Sequence, residues 1–381
     1  MQKNDEEAVT IYKKILEKSP DHVAARFYLA CLLMQQEKIS DALAEFLTLE
    51  TQEPDHVETQ INLATCYLKK GALNEAKKHY LNALSLTPDD TQILFNLGVI
   101  HRQQGNTDLA IQYYQRAIAA QPDLFSAHNN LGVAFLEKEH VGFALHHFQK
   151  ALALQPDNKA ITYTVTALTQ NKRLLAAPTD YVQALFDAYA DHYESHLLEA
   201  LDYKIPEQLQ QTLSRLTEPR AALDILDLGC GTGLCGVVLK PYAKTLIGVD
   251  LSEKMLAIAF EKKSYDQLIA EDIMHFLTDK KAQYDLMVAG DVLVYIGQLD
   301  ALFVQITQSL RVDGLFIFNT EISDEQDYKM NQSGRFAHNK NYLAHLAEKN
   351  KLAILSSQLV ITRMQHNGPV RGHLSILQKK N

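Results

Sequence analysis

The sequence predicts two architectures in one chain: an all-α array of helical repeats over residues 1–173, followed by an α/β domain over 174–381. Three observations lead there. Pro20, Pro54, Pro88, Pro122 and Pro156 fall 34 residues apart. From residue 224 onward, short apolar runs alternate with segments of helical apolar spacing. The first of those runs ends in a cluster of glycines, Gly229, Gly231 and Gly233. A fixed period decides the architecture before any local reading, and alternating strand and helix signals imply a largely parallel sheet covered on both faces.

The repeat grammar is consistent along the array. Ala8, Ala42, Ala76, Ala110 and Ala144 stand twelve residues before each proline, and Tyr12, Phe46, Tyr80, Tyr114 and Phe148 stand eight before it. Leu29, Leu63, Leu97 and Leu131 are each followed by a small residue, Ala30, Ala64, Gly98 or Gly132. The small residues let two helices approach, the aromatic fills the wedge between neighbouring pairs, and the proline ends the second helix. Four repeats are complete, 23–56, 57–90, 91–124 and 125–158, after a half repeat at 4–22. Residues 159–173 are expected to form a capping helix.

This grammar resembles the tetratricopeptide repeat. The resemblance implies a concave surface that binds a protein or peptide. Asn62, Asn96 and Asn130 recur one position before the repeat leucine, where a carboxamide can bond a peptide backbone with both its donor and its acceptor. They resemble the asparagine ladder of the O-GlcNAc transferase repeats. Asn is also simply usual at that place in this repeat.

After the array, residues 178–216 read as helices broken at Pro206. Strands are expected at 224–228, 245–249, 267–270, 284–289, 315–320, 352–361 and 372–377, with helices near 233–240, 252–262, 298–310 and 339–349. The turn signal His366-Asn367-Gly368-Pro369 makes the last two strands an antiparallel hairpin. Five parallel strands and such a terminal pair are the plan of a Rossmann-like, seven-stranded class I methyltransferase, here with lid helices at 178–216 and a core at 221–381. Proteolytic cleavage is expected near 173–180, and residues 174–381 are expected to fold alone.

The chemistry collects in Asp227-Leu228-Gly229-Cys230-Gly231-Thr232-Gly233. Glycines at the end of a strand allow positive φ and let a ligand lie against the backbone. Gly231, Gly233 and Gly236 also spell GxGxxG, a weak signal shared with dinucleotide enzymes. DLGCGTG followed by GVDLS and EDI resembles the S-adenosylmethionine methyltransferases. The resemblance implies that Asp227, Gly229, Gly231 and Gly233 meet the methionine tail and ribose, and that Asp250 accepts the ribose hydroxyls. It further implies that Leu251 packs on the adenine and that Asp272 and Ile273 read its edge. Capping the helices that follow is the plainer role for Asp250 and Asp272. Gly290 and Asp291, with Tyr295 in the segment DVLVYIGQL, would face the methyl group and its acceptor. The tyrosine-rich stretch 181–203 looks like the closing helix of ubiquinone and biotin pathway methyltransferases, and Tyr181, Phe186, Tyr189 and Tyr193 are expected to wall the sulfonium.

Ser333-Gly334-Arg335-Phe336-Ala337-His338 resembles a block of methyltransferases fused to tetratricopeptide repeats. Arg335 is expected to bind a substrate carboxylate or phosphate and His338 to act as a base. The implied activity is methyl transfer from S-adenosylmethionine to a protein side chain or a small molecule. The alternative is a repeat scaffold that binds this cofactor without turnover.

Composition narrows the rest. A net charge of −9 with no Lys/Arg-rich run argues against a nucleic-acid grip. No apolar stretch approaches a membrane span, and the polar, acidic first ten residues are unlike a signal peptide. Four scattered cysteines suit neither a disulfide framework nor a metal site. A cytoplasmic location is expected.

Overall fold

The computed structural model describes residues 2–170, 174–324, 327–365 and 368–381. It divides into two compact units, one through Ile161 and one from Thr162. The first opens with a single helix, Gln2–Lys18. Four antiparallel pairs follow: Val23–Gln35 with Ile39–Gln52, Val57–Lys69 with Leu73–Leu86, Thr91–Gln103 with Thr107–Ala120, and Phe125–Glu137 with Val141–Leu154. The periodic residues are its core: Leu63, Leu97, Leu131, Ala42, Ala76, Ala110 and Ala144 are all fully buried. The small residue after the leucine is there for the aromatic. A Cβ on Gly98 would stand 2.5 Å from the Tyr114 ring, and one on Gly132 would stand 2.9 Å from Phe148.

The second unit is built on a nine-stranded sheet, two strands more than expected. The strands are β1 Leu223–Leu228, β2 Ala243–Asp250, β3 Gln267–Ala270, β4 Tyr284–Ala289, β5 Leu310–Ile322, β6 Tyr328–Met330, β7 Phe336–His338, β8 Leu352–Gln365 and β9 Gly368–Lys379. Strands β3-β2-β1-β4-β5 are parallel in that order. β9 runs antiparallel to β5 over Leu315–Glu321, and β8 pairs on its far side. The additional strands, β6 and β7, are a short hairpin whose β7 pairs with Glu321 and Ile322 at the end of β5. The segment Ser333–His338, expected as a loop, therefore ends in a strand. Of the predicted terminal turn, His366 and Asn367 lie outside the described residues.

The central strands bury both faces, which explains their unbroken apolar runs. Along β5, Phe316 and Phe318 enter the core under the helices Asp300–Ser309 and Lys340–Lys349, while Leu315 and Ile317 face the helix Ile205–Leu216. The parallel strands end together, and the loops after β1, β2, β3 and β4 converge there.

The helix Lys159–Thr169, expected as a cap of the repeats, contributes to the core of the second unit. Its Tyr163 and Ala167 belong to the core beneath β1, β4 and β5, and Tyr163 donates a hydrogen bond to the Gly334 carbonyl. Asn171, Lys172 and Arg173, the end of the expected cap, lie outside the described residues. A fragment cut at 174 loses a buried tyrosine, which costs about 3–5 kcal/mol by analogy with truncating a buried aromatic. A fragment starting at Lys159 is therefore expected to unfold at a distinctly higher urea concentration than one starting at Leu174. Equal midpoints would show that Tyr163 adds nothing to this core.

Among the described residues, no helix is long and apolar enough to cross a membrane.

Candidate active site at the ends of the parallel strands

The turn after β1 is made by three glycines, each with its own reason. Gly229, Gly231 and Gly233 all have positive φ, at 64°, 53° and 87°. A Cβ on Gly229 would lie 2.3 Å from Val292, so this position lets the loop after β4 close over the turn. A Cβ on Gly231 would meet no atom within 4 Å, so its backbone is bare to the cavity. Gly233 was expected beside the ligand, but the structure places it against Tyr265 and Ala259, where it starts the helix Leu234–Leu239.

Tyr265 is the residue the sequence concealed. Its ring fills the space left by Gly233, Gly236 and Gly248, and its hydroxyl donates to Asp227 Oδ2 at 2.7 Å. Asp227 is 1% exposed. Burial pushes its pKa up to about 7, the Tyr265 bond opposing and the nearby Asp250 adding to the rise.

Asp250, closing β2, holds the glycine turn in place. Its Oδ2 accepts from the Gly231 N–H and its Oδ1 from the Ser252 N–H, both at 2.9 Å. The helix Glu253–Glu261 is capped instead by Ser252, which also donates to Asp187 Oδ1 at 2.5 Å. Asp272 does cap its helix: Oδ1 accepts from Met274 at 2.8 Å and His275 at 3.2 Å. Asp250, Leu251, Asp272 and Ile273 all line one cavity of about 950 Å³, its open mouth included. An adjoining pocket of about 340 Å³, lined by Asp227, Thr232, Cys235 and Tyr203, shares Gly229, Gly231, Gly290 and Tyr193 with it. The two form one trough across the strand ends.

An irregular helix covers the trough. It runs α-helical over Thr179–Tyr189, tightens to 3₁₀ over Ala190–His192, and widens to a π turn over His196–Ala200. Val182, Phe186 and Tyr193 face the cavity. Tyr181 and Tyr189, expected in the aromatic wall, do not. Tyr181 packs on Tyr163 with ring centroids 4.9 Å apart, and Tyr189 packs on Tyr193 and His196. The helix is tied down by the Asp187–Ser252 bond and by Lys262 with Glu194 at 2.5 Å.

The acceptor-side expectations need larger corrections. Arg335 is not free to hold a substrate anion. Its Nη2 lies 2.8 Å from both oxygens of Asp291, its Nε 2.7 Å from Glu321 Oε1, and its Nη1 donates to the Tyr295 hydroxyl at 3.2 Å. Arg363 completes the cluster, with Nη2 2.9 Å from Glu321 Oε1. Two guanidinium groups and two carboxylates thus cancel. Burial alone would push the Asp291 pKa up, but the charges of Arg335 and Arg363 hold it below its usual value. His338 is not a base at the cavity. It is fully buried behind the wall, with Nε2 2.9 Å from the Ile296 carbonyl and 3.1 Å from that of Gly297. Burial lowers its pKa to about 4, so the ring is neutral and Nε2–H is the donor. Tyr295, Gly290 and Asp291 do line the cavity. Ala176 and Ala177 add to its wall because the Ala177 N–H donates to the Tyr295 carbonyl at 2.8 Å.

In the repeat unit, Asn62, Asn96 and Asn130 are half-buried. Asn96 donates to the Tyr80 hydroxyl at 2.9 Å and Asn62 to Cys31 Sγ at 3.9 Å, so these two amides also join one repeat to the one before it. Asn130 accepts from Asn129 at 3.5 Å.

Comparison with known proteins agrees with this division. Residues 226–318 match the model of the methyltransferase domain family, and residues 4–56, 29–76 and 55–123 match tetratricopeptide repeat models. The chain joins tetratricopeptide repeats to a methyltransferase domain. The probable S-adenosylmethionine-dependent methyltransferase CRG1 of Saccharomyces cerevisiae is 31% identical over 140 residues, 34% of this chain and 48% of that protein. The malonyl-[acyl-carrier protein] O-methyltransferase of Bacillus cytotoxicus is 27% identical over 155 residues, 39% of this chain and 50% of that protein. The chain spans about half the length of these curated relatives. Among solved structures, MamA aligns with a TM-score of 0.39 at 22% identity, over 41% of this chain and 91% of that one. Among the described residues of the methyltransferase domain and the repeats, no three His, Cys, Asp or Glu side chains are placed to hold a metal ion.

Proposed function

We propose that the chain is an S-adenosylmethionine-dependent methyltransferase whose repeats recruit a protein or peptide, either the substrate or a partner. The observation that carries this reading is the bare backbone of Gly231 opening on a trough between Asp227 at one end and Asp250 and Asp272 at the other. The residues suit the group. Asp250 is held by backbone N–H groups and lines the cavity, where its carboxylate can also accept a ribose hydroxyl. Asp272 uses only Oδ1 in its cap, and Leu251 and Ile273 supply apolar contact for a base. Asp227 suits a cationic ammonium, and the faces of Phe186 and Tyr193 suit a sulfonium.

S-adenosylmethionine supplies an already activated methyl group. The protein's share is to align the acceptor and exclude water. The helix over Thr179–Ala200 covers the trough, and the Asp291–Arg335 pair fixes the loop that carries Tyr295. The repeats supply binding energy to a partner; Asn96 gives one amide N–H to Tyr80 and keeps its carbonyl oxygen for a peptide N–H. Four free cysteines suit a cytoplasmic location, and the acidic charge leaves nucleic acid an unsuitable partner.

The test is release of S-adenosylhomocysteine by the full chain in a cell extract supplied with methyl-labelled S-adenosylmethionine. Label in protein or in a small molecule supports turnover and says which acceptor class is used. Binding of the cofactor without release would leave the scaffold reading in its place.

A further inference from the structure

Apart from Asp250 and Asp272, the cavity has an apolar wall made by Ala176, Ala177, Val182, Phe186, Val292 and Ile296. Thr179, Tyr193 and Tyr295 are the uncharged polar groups on it, and of the three only the Tyr295 hydroxyl is held by a guanidinium. Its one charged neighbour, Asp291, is neutralised by Arg335 on both oxygens. The nearest histidine in sequence to this network, His338, spends its N–H on two backbone carbonyls behind the wall. Among the described residues lining the cavity, none apart from the carboxylates Asp250 and Asp272 is a free base to remove a proton.

The Tyr295 hydroxyl is the directed group. It accepts from Arg335 Nη1 at 3.2 Å and gives its own hydrogen to no acceptor among the described residues. The guanidinium, whose carbon lies 5.4 Å from the ring centroid, makes that phenol a stronger donor. Arg335 is itself held at Nε by Glu321, which Asn331 and Arg363 also hold, so the hydroxyl cannot drift. Burial raises the Tyr295 pKa, and the group stays a phenol at neutral pH.

We propose that the methyl acceptor is an acidic oxygen, a carboxylate or an ionised phenol, carried on an apolar body, and that Tyr295 is the residue that binds and orients it by donating a hydrogen bond. The inference rests on the methyltransferase reading above. An acceptor of this kind arrives already deprotonated, which answers the missing base. Its lone pair forms the new O–CH₃ bond while the S–CH₃ pair stays on sulfur. The anion and the sulfonium are replaced by a neutral ester or ether and a neutral thioether. Withdrawing opposite charges into neutral products is favoured where the walls are apolar. An amine would enter this chamber protonated, beside a sulfonium, with no free base among the described residues of this wall to take its proton.

The experiment uses the full chain with S-adenosylmethionine and four probes: hexanoate, 4-nitrophenol, hexylamine and hexanol. The expected result is methylation of hexanoate or 4-nitrophenol with kcat/KM at least about tenfold above that of the amine and the alcohol. Which acidic probe leads separates a carboxylate from a phenolate acceptor. Tyr295→Phe is expected to lower kcat/KM for that acidic probe by about tenfold or more and to leave S-adenosylmethionine affinity within about twofold. A preference for the amine or the alcohol overturns the inference. So does absence of turnover with both acidic probes in protein that binds S-adenosylmethionine, or an equal loss on all probes in Tyr295→Phe. Failure to bind S-adenosylmethionine at all overturns the underlying reading as well.

Discussion

Asp227→Asn is expected to stabilise the ligand-free chain at pH 8 by up to about 4 kcal/mol while weakening S-adenosylmethionine binding. The carboxyl is buried, and its pKa is pushed up to about 7 in the folded chain, against about 3.9 when unfolded. The sign follows from proton linkage. Below the unfolded value both states hold the proton and the group costs nothing extra. As pH rises from about 4 to about 7 only the unfolded chain releases it, so stability falls, and above about 7 the loss is constant. A pKa raised from about 3.9 to about 7 corresponds to about 4 kcal/mol. Asparagine has no such titration and still accepts the Tyr265 hydrogen bond. Urea midpoints of the two proteins should converge near pH 4 and diverge towards pH 8; parallel curves would contradict the buried, protonated carboxyl. In the wild type a cationic ligand favours the carboxylate, so affinity for S-adenosylmethionine should rise from pH 6 to pH 8 and then level off.

Arg335→Met is expected to cost about 3–5 kcal/mol of folding stability, because it leaves Arg363 alone to balance the two buried carboxylates Asp291 and Glu321. An arginine reserved for a substrate anion would give the opposite pattern, with activity lost and stability kept. The double variant Arg335→Met/Asp291→Asn should recover part of the loss, since it removes the excess negative charge and leaves Glu321 paired with Arg363. Thermal melts of the three proteins in the absence of ligand distinguish the two roles.

What the sequence disclosed and what it hid divide along contact distance. The repeats were readable because the leucine, the small residue, the aromatic and the proline all act within one helical pair. The glycine turn was readable because close approach of backbone needs glycine at consecutive, fixed places, and Gly231 and Gly229 sit where that reasoning puts them. Tyr265 was not, since its partners Asp227 and Gly248 lie on other strands and no local pattern marks it. The same holds for Arg335, whose isolated charge in a loop-like segment reads as a free ligand until Asp291 and Glu321 are brought to it. β6 and β7 are three residues each, too short to carry an alternation. The helix Lys159–Thr169 shows apolar spacing that serves equally for stacking on a repeat or packing under a sheet, so its place in the second core was not legible from spacing alone.

The central claim is that the trough beside Gly231 holds S-adenosylmethionine. Calorimetric titration of the full chain with S-adenosylmethionine, in parallel with Gly231→Val, tests it most directly. A Cβ at Gly231 meets no protein atom, so the cost of the substitution lies in the strained positive φ and in the blocked trough. The account predicts saturable one-to-one binding to the wild type and its loss in a Gly231→Val protein that still melts cooperatively. Wild-type protein that shows no binding, or a folded Gly231→Val protein that binds as tightly as the wild type, would contradict it.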